Sequence, residues 1–146
     1  MNSHIVEIES FHDNYIHAMA FTDENFSSDL ELDIDHIKEW LCDETPCNFV
    51  IAPARLSFKN VSSLAISINR EGFTMNAYLG CILEIKLTHL QNLRAMYEII
   101  MVGNESIKFE AESSMLTYTG DEIKTTVQYL SKSERETPNP SFKRDA

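Results

Sequence analysis

Apolar residues return at every second position along most of this chain, and that period of two limits the fold more than any other feature. Leu30, Leu32 and Ile34 alternate with Glu31, Asp33 and Asp35. Ala54, Leu56 and Phe58 alternate with Arg55, Ser57 and Lys59, and Leu64, Ile66 and Ile68 with Ala65, Ser67 and Asn69. Side chains on an extended strand point to opposite faces in turn, so each run predicts a strand with one apolar and one polar face. Leu79, Cys81, Leu83, Ile85 and Leu87 predict another, with Cys81 on the apolar face, as do Ile107, Phe109 and Ala111. Residues 95–102, AMYEIIMV, are apolar on both parities and suit a central strand.

Shorter segments fit the same scheme. Val6 and Ile8 share one side of HIVEIESF, and Tyr15, His17, Met19 and Phe21 one side of YIHAMAF. Residues 115–118 extend or begin a strand, and the Thr125–Thr126–Val127 run tips residues 121–130 towards strand. Polar stretches at 12–14, 22–28, 60–63, 70–76 and 103–105 read as turns or loops, so residues 54–59 and 64–68 are predicted to form a hairpin. One stretch breaks the rhythm. After Asp35, the apolar residues Ile37, Trp40 and Leu41 fall three and four apart, which fits a turn of helix or an irregular crossing, and Asp33 or Asp35 could cap such a turn. The predicted fold class is mainly β, a single-domain antiparallel β-sandwich or barrel with at most one or two short helices. Residues 1–130 form the domain. Residues 131–146 are polar, carry two prolines and lack core periodicity, which predicts a disordered C-terminal tail.

Charge narrows the function. With 23 acidic against 12 basic residues the formal net charge is -11. Nucleic acids and anionic membranes are recognised by basic stripes, and none is present, so neither is an expected partner. No apolar run approaches a bilayer span, and the N-terminal residues lack the pattern of a signal peptide, so the cytoplasm is the expected compartment. Cys42, Cys47 and Cys81 make an odd count with no completed zinc spacing, and are expected as free thiols.

Two segments and the tail resemble known sequences. Thr137–Arg144, TPNPSFKR, resembles the C-terminal tail of reading frames that run into the recombination site of an integron gene cassette. This implies a mobile bacterial gene and no particular activity. Residues 32–40, LDIDHIKEW, and 49–61, FVIAPARLSFKNV, resemble an uncharacterised bacterial family with LDIDYI-x-EW and F-x-VAPATLVFENV segments. The likeness spans roughly residues 10 to 115. His36 stands where that family has tyrosine, Arg55 for threonine and Lys59 for glutamate.

Acids crowd residues 23–44, with Lys38 the one base among them. A solvated strand face or a surface for a basic partner explains most of them. Asp33 and Asp35 share a strand face and could begin a cation site, but such a site needs further oxygen ligands, so no metal is assigned. His12–Asp13 and Asp35–His36 offer histidine next to carboxylate. Neighbours on a strand point apart, so neither pair is self-contained. Asp43 and Glu44 disfavour a thiolate at Cys42 or Cys47. Trp40, with Tyr15, Phe49 and Tyr78, could line a pocket or simply fill core. No G-x-S-x-G, H-E-x-x-H or glycine-rich phosphate loop occurs, so no catalytic residue or cofactor is assigned. The candidate ligand-binding residues are His12, Asp33, Asp35, His36, Glu39 and Trp40. They fit a non-enzymatic module, expected as a homo-oligomer, that binds a protein or small ligand. The alternative is a small enzyme using a histidine–carboxylate pair in a cleft near Trp40.

Overall fold

A computed structural model describes residues 3–5, 11–24, 27–43, 45–70, 79–131 and 133–135. These form strands and turns, with no α-helix. The strands are β1 (Ser3–Ile5), β2 (Tyr15–Glu24), β3 (Ser27–Leu41), β4 (Asn48–Lys59), β5 (Ser62–Ser67), β6 (Gly80–His89), β7 (Ala95–Met101), β8 (Glu105–Ala111), β9 (Ser113–Tyr118) and β10 (Ile123–Thr125). They lie in one antiparallel sheet in the order β1-β9-β4-β3-β2-β6-β7-β8-β5, with β10 also paired to β4. The fold is mainly β, as the alternation predicts, and the sheet is not closed. The expected strand at 4–11 is described only as far as Ile5, and its remainder lies outside the described residues.

The sheet bends over on itself. Leu30, Leu32, Ile34, Leu56 and Phe58 from one half bury against Ile82, Tyr97, Ile99, Ile107 and Phe109 from the other. The Phe58 ring lies edge-on to Tyr97 and Phe109, with centroids 5.0 and 4.7 Å away. Burial of such apolar area is the main driving force of the fold. The halves join where Tyr15 pairs with Cys81 and Ile16 with Gly80. At that join a Cβ on Gly80 would lie 2.6 Å from Sδ of Met101 on β7, so glycine leaves room for that side chain.

Turn chemistry explains the second half. Gly103 and Asn104, both at positive φ, join β7 to β8. That is the backbone twist a tight antiparallel hairpin needs, and these two residue types adopt it at least cost. Asn92 and Leu93 do the same between β6 and β7.

Several sequence expectations are corrected. β4 and β5 do not form a hairpin: β4 pairs with β3, β9 and β10, while β5 crosses to pair with β8. Pro53 lies inside β4. The β10 pairing reaches Ile51 and the β9 pairing begins at Ala54, so the missing N–H of Pro53 falls at the break between two partners. The change of period after Asp35 is a β-bulge, not a helical turn. Ile37 pairs with Ile51 and Glu39 with Val50, leaving Lys38 as the extra residue. An extra residue shifts the parity, so Ile37 and Trp40 fall on one face although they are three apart. The same device breaks two more predicted faces. His17 is the extra residue between Ile16 and Ala18 in β2, and Leu83 between Ile82 and Glu84 in β6. Ile82 and Ile85 are therefore the buried pair of β6, whereas Leu83 and Leu87 are exposed. Cys42 and Cys47 are not free thiols but are joined as a disulfide across the β3–β4 connection. Cys81 is the one free cysteine, and burial pushes its thiol up to about 11, which makes it unreactive at neutral pH.

Candidate functional site

β3 is the longest strand, and its two faces meet different surroundings. Leu30, Leu32 and Ile34 face the core, and His36 follows them on that parity. Glu31, Asp33, Asp35 and Ile37 face the other way. The sequence offers this outer face as solvated or as a surface for a basic partner. Instead Asp33 is 8% exposed and Asp35 fully buried. The cover is the chain after β10, which packs Leu130 against Ile37, Phe49 and Ile51. Tyr129 lies against Tyr15, with ring centroids 5.1 Å apart.

Asp35 is the centre of this arrangement. His17 Nε2 lies 2.6 Å from Asp35 Oδ2, and the Leu130 N–H donates to the same oxygen at 2.8 Å. Arg135 Nη1 donates to Asp35 Oδ1 and Nη2 to Asp33 Oδ1, so one guanidinium spans both carboxylates. Arg135 falls in the stretch expected as a disordered tail, yet its side chain is only 11% exposed. Residues 136–146, including the TPNPSFKR segment, lie outside the described residues.

Burial, then the Arg135 charge, lowers the pKa of His17 from 6.5 to about 4, while Asp33 pulls the other way. His17 is therefore neutral at pH 7, and Nε2–H donates to Asp35. Next along the face, burial raises Glu31 above its usual carboxyl range against the opposing pull of Arg55. Glu31 Oε2 is buried without a hydrogen-bond partner among the described residues, and Arg55 Nη1 is 3.8 Å away.

The other expected site residues disperse. His36, on the core side, is 5% exposed. Its Nδ1 is 2.8 Å from Oδ1 of the fully buried Asn14, and its ring packs beside Phe11 and Tyr118. His12 is mostly exposed and lies 3.3 Å from Asp13. Glu39 is exposed at the far end of β3. Trp40 is 46% exposed and stands edge-on to Phe49. Only Asp33 and Asp35 come together. Their partners His17 and Arg135 were not singled out, because one is re-aimed by a bulge and the other lies beyond the last periodic segment. Among the described residues no group of three or more His, Cys, Asp or Glu is arranged to hold a metal ion. No helix there is long and apolar enough to cross a membrane.

Comparison with protein families, curated proteins and solved structures found no match to this chain.

Proposed function

We propose that this is a non-enzymatic binding module whose outer β3 face seats a cationic side chain, with Arg135 as its resident occupant. The observation that carries the reading is the Arg135 guanidinium against both Asp33 and Asp35. A planar fork of N–H donors matches a pair of carboxylates better than a point charge does. The occupant is also on a short leash. Between the buried Leu130 and Arg135, Ser131 and Ser133 are exposed, and the local hydrogen bonds run back within the segment, from Ser131 N–H to Glu134 and from Arg135 N–H to Ser131 O. A basic segment of a protein partner, or a small guanidinium ligand, competes for the same seat. The acidic balance of the chain supports cationic partners over nucleic acids or anionic membranes.

The test is chemical rescue. Arg135→Ala should lower the melting temperature, and millimolar arginine amide should restore part of the loss by binding the emptied seat. If arginine amide does no more for the variant than sodium chloride at equal ionic strength, the reading is overturned.

A small enzyme using a histidine–carboxylate pair has one observation in its favour, the 2.6 Å contact between His17 and Asp35. It is the weaker reading, because Asp35 is fully buried and both its oxygens are already engaged. The proposal also keeps a cassette-borne bacterial origin, supported by TPNPSFKR, and a cytoplasmic setting, supported by the free Cys81 thiol. The Cys42–Cys47 bridge weighs the other way, since such bonds persist in oxidising compartments. Rapid alkylation of intact cells would decide between them, with both thiols trapped in the cytoplasmic case.

A further inference from the structure

We infer that the Cys42–Cys47 bond is a redox switch for the seat at Asp33 and Asp35: its reduction to two thiols loosens the C-terminal cover and lets Arg135 leave. The inference rests on the seat proposed above only for what the opening admits. The bond closes a part of the sheet that stands apart from the rest. β2 pairs with β3 only as far as Asp35, opposite Tyr15. Beyond it, among the described residues, β3 pairs with β4 alone. β4 changes its other partner in the same region, from β9 at Ala54 to β10 at Ile51, Val50 and Phe49. The result is a three-stranded flap, with the bulge at Lys38 interrupting its ladder.

The flap has its own core. Ile37, Phe49, Ile51 and Leu130 form a cluster separate from the main one. A core this small buries little area, and small units of structure commonly need a staple. The Cys42–Cys47 bond is that staple, joining the strands just past their last pair, Leu41 with Asn48. Cys47 also packs against the cluster itself. The C-terminal cover hangs from this unit. β10 pairs with β4 alone among the described residues, and Leu130 is buried in the flap cluster. Gln128 and Tyr129 also touch Asp13 and Tyr15, but through a hydrogen bond of 3.5 Å and a ring left 43% exposed.

Opening a small cluster costs less than unfolding the whole chain, so loss of the staple acts on the flap first. The Leu130 N–H then leaves Asp35, and Arg135, five residues further on, follows. The bond is within reach of a reductant, because Cys42 is exposed and Cys47 half-buried. A dithiol supplies the two electrons and two protons. One of its thiolates attacks a sulfur of the bond, and its second thiol displaces the mixed disulfide. The reductant leaves as a disulfide, and Cys42 and Cys47 are left as thiols. Reoxidation reverses the exchange and reseats the cover. Cys81, on β6, lies outside the flap.

Hydrogen exchange on the intact protein, read by NMR, tests this. Reduction with tris(2-carboxyethyl)phosphine should cut the protection of the Leu130 amide about tenfold to a hundredfold, the scale set by a disulfide that closes a short loop. That protection should then lie well below that of the Ile99 amide in the main core. Brief trypsin treatment should cut after Arg135 about tenfold faster once the bond is reduced, because the seated side chain is only 11% exposed. The double variant Cys42→Ser, Cys47→Ser should behave as the reduced protein does, with or without phosphine. Leu130 protection that ignores reduction, or that equals that of Ile99 in the reduced protein, overturns the inference. So does equal cutting after Arg135, or a double variant that still responds to phosphine. If Leu130 and Arg135 respond to the bond but arginine amide does not rescue Arg135→Ala, the switch stands and the ligand reading falls. The opposite pair of results overturns the switch alone.

Discussion

The two faces of β3 are both hidden from water, by opposite means. On one, Leu30, Leu32 and Ile34 meet the aliphatic and aromatic side chains of the second half of the sheet. On the other, Asp33 and Asp35 meet a histidine, a backbone N–H and a guanidinium delivered from the C-terminal segment. The apolar face gains stability from area alone and tolerates any well-fitting hydrophobe. The charged face is hidden at a cost that only its particular partners offset, and a missing partner leaves an uncompensated charge. One face therefore specifies a shape and the other specifies a chemistry, which is why the search for a ligand belongs on the second.

The largest effect that sharpens this contrast is expected at the apolar face. Phe58→Ala should cost about 3 to 5 kcal/mol in urea unfolding, with little dependence on salt or pH, because it leaves a cavity among Tyr97 and Phe109. Arg135→Ala should cost about 2 to 4 kcal/mol, since Asp33 and Asp35 lose their shared counter-charge. If that variant unfolds at the wild-type urea midpoint, the two faces are not different in kind and the comparison collapses.

Acidity should act on the charged face. The unfolded chain protonates His17 near its ordinary 6.5, whereas the folded chain refuses the proton until about pH 4. Stability from the neutral ring is complete above pH 6.5, declines as pH falls towards 4 and is level below that. The loss should be about 1 to 2 kcal/mol after solvent screening, and His17→Asn should flatten this part of the pH–stability curve. The smallest effect is expected where charge is exposed. Lys38 meets Glu122 at 2.7 Å and stands 4.8 Å from the centre of the Tyr118 ring. Lys38→Ala should cost about 0.5 kcal/mol, and less in high salt.

Much of the fold was legible because period-two alternation states which residues face inward. Leu30 to Ile34, Ala54 to Phe58 and Ile107 to Ala111 all bury the expected side. Alternation cannot show an inserted residue. His17, Lys38 and Leu83 each shift the parity of the strand beyond them, and spacings of three across a bulge imitate a helix. Asp33 and Asp35 were legible as a pair, but not as a buried one. Their cover comes from Leu130 and Arg135, far away in sequence, and a short polar stretch holding one arginine carries no periodic signal. The missed hairpin has a similar cause, since nothing local tells β5 to seek β8 instead of β4.

The narrow join between β2 and β6 has a consequence for how the chain assembles. Within each half, most neighbouring strands are also neighbours in sequence, so β2-β3-β4 and β6-β7-β8 can each zip up from short turns. The join is different. It brings Ile16 to Gly80 across a long loop, and among the described residues two ladder pairs and the flanking backbone hydrogen bonds of Asp13, Asn14 and Ile16 with Ile82 and Leu79 reward that closure. The two meanders are thus expected to form early and the join late, as the core between them dries.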